Sequence, residues 1–154
     1  SEKAKLARAA GAHHVINYRD EDVAAAVLAI AEEGVDTIVD VNVQANGATD
    51  IAVLKFGGTI AIYASDSSAP LKVPIGSAMR RNARYQFVLT YTVTDDQKTN
   101  AVAAVTAALA DDALPVGAEH GLPLTRFALA DTAAAHDAVE ADTIGKVLID
   151  VTGA

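Results

Sequence analysis

The strongest constraint in this chain is a repeated alternation of short apolar runs with segments of helical spacing. Val35–Val41 and Thr59–Ala64 are runs rich in β-branched residues, and Tyr85–Val93 is aromatic and β-branched nearly throughout. Strands buried on both faces read as continuous apolar runs, and the helices between them cross over the sheet and cover it. The expectation is an α/β fold with a mostly parallel, Rossmann-like, doubly wound sheet.

The remaining segments fit this frame. Residues 2–10 are rich in good helix formers, with Ser1 placed to cap the start and Gly11 to end it. His14–Asn17 is a short strand candidate. Asp20, Glu21 and Asp22 open a second helix at the positive end of its dipole; Val23, Val27 and Ile30 form its apolar face, and Gly34 stops it. Asn46–Phe56 reads as a weaker helix broken by Gly57-Gly58. Residues 71–84 carry no decisive signal. Asp95–Ala110 is an alanine-rich helix, Leu124–Leu129 a strand, Asp131 to about Ala141 a helix, and Lys146–Val151 a final strand.

Composition narrows the function classes. The 154 residues suit one domain and are 51% hydrophobic and 21% charged. A net charge of −8 argues against binding nucleic acid, which needs clustered Lys and Arg. There is no cysteine, so the chain offers no disulfide, thiolate zinc ligand or cysteine nucleophile, and it fits a reducing cytoplasm. His13, His14, His120 and His136 lack metal-binding spacing, so no metal is expected. No apolar run reaches membrane-spanning length, so no membrane partner is expected. Asp20-Glu21-Asp22 and Asp95-Asp96 read as helix starts, and no serine sits in a nucleophile elbow. No residue is assigned a catalytic role.

Several segments, in order, carry a resemblance. They are Ser1-Glu2-Lys3 with Ala10-Gly11-Ala12 and Val15–Arg19; Gly34–Asp40; Leu54–Ile60 with its glycine pair; and Ala135-His136 followed by Gly145–Ile149. Together they resemble the zeta-crystallin-like quinone oxidoreductases of the medium-chain dehydrogenase/reductase superfamily. The segment Asp40-Val41-Asn42-Val43-Gln44 departs from the superfamily pattern, which places glycine soon after the acid.

The resemblance implies a zinc-independent, NADPH-dependent reductase of quinones or other α,β-unsaturated carbonyls, with NADH left open. Enoyl reduction and a noncatalytic, structural role of zeta-crystallin type are alternatives. It implies that Lys3 and Tyr18 meet the adenosine 2′-phosphate, against the plainer readings of a solvated helix-start lysine and a strand-end tyrosine with a wet hydroxyl. It places Asn42, Ala64 and Ser65 on the nicotinamide side, or else in ordinary loop, and gives the backbone of Phe87, Val88 and Leu89 to the carboxamide. It also implies a homodimer paired through Tyr85–Val93.

In the resembling fold the strand order is 3-2-1-4-5-6. This chain supplies what look like strands three to six, so the first two strands and the glycine-rich loop are expected to be missing at the N-terminus. Residues 1–118 would then form a partial nucleotide-binding domain, and residues 119–154 would return to a catalytic domain. Alone, such a fragment is expected to be inactive and to bind NADPH weakly.

Overall fold

A computed structural model describes residues 1–64 and 69–151. In chain order its elements are α1 (Glu2–Ala9), α2 (Val23–Ile30), β1 (Val35–Asp40), α3 (Val43–Val53), β2 (Leu54–Ile62), α4 (Ile75–Arg81), β3 (Arg84–Phe87), α5 (Asp95–Ala110), β4 (Leu124–Ala128), α6 (Thr132–Glu140) and β5 (Lys146–Asp150). The chain divides into two compact units, residues 16–94 and residues 1–15 with 95–154. No helix among the described residues is long and apolar enough to cross a membrane.

The 16–94 unit holds a parallel, Rossmann-like sheet in the order β1-β2-β3. Its register is level at the carboxyl ends, where Asp40 pairs with Ile62 and Ile62 with Phe87. The helices α3 and α4 make the two crossovers. Val43 and Ile51 of α3 pack with Leu54, Ile60 and Ile62 of β2 as the buried core, and Ile38, Leu71, Ala78, Ala83 and Tyr85 close around them. α2 begins as its sequence dictates: the Asp22 side chain accepts from the Ala25 N–H at 3.0 Å.

The second unit contains α1, α5 and a separate parallel pair, β4 and β5, joined by α6. Ala135 of α6 is buried. Arg126 of β4 pairs with Asp150 of β5 through two nitrogens, which holds Asp150 below the usual carboxylate range. Ser1 caps α1, its hydroxyl accepting from the Ala4 N–H at 3.3 Å.

Several sequence expectations are corrected. His14–Asn17 is not a strand. No described strand lies beside it, and the Asn17 carbonyl instead accepts from the Asp20 and Glu21 N–H groups, each at 3.0 Å, closing a turn. The helix expected over Asn46–Phe56 starts and ends earlier, and β2 already begins at Leu54. Gly57-Gly58 is not a helix stop but a bulge: between the pairs Val35–Leu54 and Thr37–Thr59, β2 carries extra residues, and Gly57 takes a positive φ of 72° to absorb them. The strand expected over Tyr85–Val93 ends at Phe87. Val88 adds one further bond to Ile62, and the Leu89 carbonyl then accepts from the Thr92 N–H and hydroxyl, each at 3.0 Å, which turns the chain away.

The turn into β1 depends on Gly34. Its φ is +87°, and a Cβ there would lie 2.3 Å from the Val53 carbonyl oxygen and 2.9 Å from the Lys55 nitrogen. Left-handed strain alone costs about 1–3 kcal/mol, and both colliding atoms are backbone. Gly34→Ala is therefore expected to lower the urea midpoint by more than Gly11→Ala does. Gly11 has a comparable φ of +99°, but a Cβ there would meet nothing within 4 Å, so it isolates the strain from the collision. Equal shifts in the two variants would show that the close approach at Gly34 does not matter.

Candidate functional site

Ligands of open parallel sheets bind outside the carboxyl ends of the strands. Here those ends are aligned, so the residues that follow them share one edge. Asn42 follows β1, Ala64 follows β2, and Val88 and Leu89 follow β3. Two further backbone bonds extend the ladder to this edge, from Tyr63 N–H to the Asp40 carbonyl at 3.3 Å and from Val88 N–H to the Ile62 carbonyl at 2.8 Å. Of the eight residues singled out from sequence, Asn42, Ala64, Phe87, Val88 and Leu89 are thus brought to one edge of one unit. Phe87 and Leu89 are exposed, whereas Ala64 and Val88 are half-buried. Ser65 lies outside the described residues.

The other two are placed differently. Tyr18 is exposed in the turn after Asn17, with the Arg19 guanidinium carbon 5.9 Å from its ring centre. Lys3 sits in the first turn of α1, in the other unit, and its Nζ donates to both carboxylate oxygens of Asp142, at 2.9 and 3.1 Å.

Beneath Asn42 lies a feature that the residue pattern alone did not reveal. Asp40 and Asp50 are both buried, at 3% and 6% exposure. Asp40 Oδ1 accepts the backbone N–H of Asn42, the residue that caps the start of α3, while the Asn42 side chain makes no cap bond to that helix. Asp50 reaches Asp40 from α3, and its Oδ2 is buried with no hydrogen-bond partner. Two contacting carboxylates away from water cannot both stay charged. Burial, followed by the hydrogen bond with Asp40 and the charge of Asp40, pushes the Asp50 carboxyl up to about 7. A protonated Asp50 donates to Asp40, which in turn holds the Asn42 N–H. Burial, and then the charge of Asp50, also raises the Tyr85 hydroxyl above its usual value. A signal exists in the sequence: Asp40 shares the inward side of β1 with Ile38, two residues before it, and Asp50 lies seven residues from Val43 on the inward stripe of α3.

A level parallel sheet with helices in its crossovers defines a Rossmann-like architecture. The chain belongs to the zinc-binding dehydrogenase family of alcohol dehydrogenase-like proteins, whose family description, "Zinc-binding dehydrogenase", matches residues 1–110. Comparison with curated protein sequences gave no significant match. Among solved structures, benzyl alcohol dehydrogenase from Acinetobacter calcoaceticus superposes with a TM-score of 0.78 at 16% identity, over 96% of this chain and 40% of that one. A quinone oxidoreductase from Pseudomonas syringae pv. Tomato DC3000 gives 0.70 at 23% identity, over 94% and 45%. CurA from Vibrio vulnificus, solved in complex with NADPH, gives 0.73 at 14% identity, over 100% and 48%. At these identities the likeness is one of fold, and the chain spans less than half the length of each of these proteins. No group of three or more His, Cys, Asp or Glu side chains gathers into a metal site among the described residues.

The carboxyl pair sets a pH dependence. The folded chain holds the Asp50 proton up to about pH 7, whereas an ordinary aspartate releases it near 3.8. The stabilisation is therefore fully present below pH 3.8 and is lost as pH rises through about 7. Asp50→Asn keeps a donor for Asp40 and removes the charge. It is expected to stabilise the protein by roughly 1–3 kcal/mol more at pH 8 than at pH 5, in paired urea titrations. A gain independent of pH would show that Asp50 is ionised at both.

Proposed function

We propose that this chain forms part of the nucleotide-binding region of a zinc-independent, NADPH-dependent oxidoreductase that reduces quinones or other α,β-unsaturated carbonyls. The supporting observation is the carboxyl edge, where Asn42, Ala64 and the Phe87–Leu89 segment follow three aligned parallel strands. The residues fit a nicotinamide: Ala64 adds only a methyl group to the edge, and the Asn42 amide is not spent on capping α3. The shared fold with a solved quinone oxidoreductase and with CurA in its NADPH complex supports the same reading. When bound, NADPH supplies a hydride. The chain's own contribution is to bind and orient: Asn42 and Ala64 beside the ring, Phe87, Val88 and Leu89 by backbone at the carboxamide, and Lys3 and Tyr18 at the 2′-phosphate. The absence of cysteine means that this chain gives no thiolate to a zinc site.

The Lys3–Asp142 pair does not obstruct that role. Both side chains are largely exposed, and exposed pairs contribute about 0–1 kcal/mol. A hydrogen bond to a charged phosphate is worth about 1.5–3 kcal/mol, so the phosphate wins the lysine. In the oxidoreductase that carries this chain, Lys3→Ala is expected to raise the KM for NADPH about tenfold and leave that for NADH nearly unchanged. Equal losses with both cofactors would remove Lys3 from the 2′-phosphate site.

We also propose a homodimer through Tyr85–Val93. In its favour, β3 is an edge strand of its sheet with Phe87 exposed on it, and Leu89 and Tyr91 are exposed in the segment that follows. Unpaired apolar edges invite association, and two-fold pairing caps them. Because Val88 donates inward to Ile62, alternation turns the Phe87 amide outward, toward a partner. Sedimentation is expected to show a dimer at micromolar concentration and a shift toward monomer for Leu89→Arg. A monomeric unsubstituted protein would refute the pairing.

A further inference from the structure

At the amino-terminal end of the same sheet, the opposite end from Asn42 and Ala64, lies a cavity of about 360 Å³ lined by Phe56, Ser77, Arg80 and Arg81. Its size falls within the usual range for small-molecule sites. Its walls come from the start of β2 and from α4, within one compact unit.

The charge at this place is unusual for the molecule. The chain carries a net charge of −8, yet two adjacent guanidinium groups meet here, and neither pairs with a carboxylate among the described residues. Arg81 is held in place by neutral partners, its two terminal nitrogens donating to the carbonyls of Leu54 and Ala52. Its position is therefore fixed without a carboxylate partner among the described residues. Arg80 folds back over the first turn of α4 and donates to the Ser77 hydroxyl oxygen at 3.2 Å. Because Ser77 accepts from Arg80, its own O–H remains to donate. Phe56 stands beside these groups with its side chain largely exposed.

We infer that this cavity is a binding site for an aromatic phosphomonoester, separate from the cofactor edge. The Arg80 fork and the Ser77 hydroxyl supply donors in more than one plane, which suits a tetrahedral dianion better than a flat carboxylate. The charge of Arg81 adds attraction without moving the side chain. The Phe56 ring offers a flat apolar wall for the ester's aromatic group. Free phosphate shares the anionic chemistry but makes no use of Phe56.

The test uses the full chain, phenyl phosphate as probe, and inorganic phosphate and phenol as the other arms, followed by calorimetry and by amide chemical shifts. Phenyl phosphate is expected to shift the amides of residues 75–81 and to bind at least tenfold more tightly than either fragment. Arg80→Ala, which leaves the bonds from Arg81 to the Leu54 and Ala52 carbonyls in place, is expected to weaken it at least tenfold with the melting temperature unchanged. Phe56→Leu is expected to bring phenyl phosphate down to the level of inorganic phosphate. NADPH is expected not to compete. Shifts absent from residues 75–81, equal affinity in Arg80→Ala, or tighter binding of inorganic phosphate than of phenyl phosphate would each overturn the assignment.

Discussion

Burial of one face of β2 is the constraint on which the 16–94 unit depends. Leu54 and Ile60 are completely removed from solvent and Ile62 nearly so. Each such side chain contributes roughly 1.5–3 kcal/mol on burial, a large share of the stability of a unit this small. β2 also takes hydrogen bonds from both sides, from β1 and from β3. Its bulge serves the same core. Gly58 has no side chain because a Cβ would lie 2.7 Å from Leu54 Cδ1, so Leu54 can fold over its own strand. The start of β2 is fastened a second time, by Arg81 reaching across from α4 to the Leu54 carbonyl.

Because β2 is fixed, so are the ends of its neighbours, and the two ends of the sheet acquire different chemistry. At the carboxyl end the chain leaves β1 through a helix start whose backbone is tied to a buried carboxylate. Placing Asp40 and Asp50 together in the core costs solvation, and a hydrophobic pair would avoid that cost. What the pair contributes is position: Asp40 holds the Asn42 amide, and Asp50 holds Asp40. At the amino end the charge is of the opposite sign, and Arg81 joins the carbonyls that end α3 to the C-terminus of α4. Those carbonyls hold the arginine in place at a helix C-terminus without a carboxylate partner among the described residues.

The length and alternation of the apolar runs made the parallel α/β class legible, because strand and helix periods differ and few residues in this chain mislead. Val35–Val41, Asp95–Ala110, Leu124–Leu129 and Lys146–Val151 all stand within a residue or so of β1, α5, β4 and β5. The residues at the carboxyl edge were legible for the same reason, since Asn42 directly follows one apolar run and Ala64 ends another. The carboxyl pair was harder to see. It needs the inward stripe of α3 and the inward side of β1 to be superposed, and each stripe alone shows only one acid among apolar residues.

The sequence by itself determined which segments are apolar, which are helical, and where glycine permits a turn, since these follow from side-chain volume, periodicity and backbone sterics within a few residues. Tertiary structure decided the rest. His14–Asn17 has the residues of a strand but no described neighbour to pair with, and backbone groups without a ladder settle into a local turn. Tyr85–Val93 has β propensity throughout, yet only the part alongside β2 is a strand, because ladder bonds come from a partner and not from propensity. Gly57-Gly58 reads locally as a helix stop, but the register between β1 and β2 requires a bulge there. Asp50 is an ordinary acid in the sequence; only the approach of α3 to β1 removes its water, sets it against Asp40 and keeps it protonated toward neutral pH.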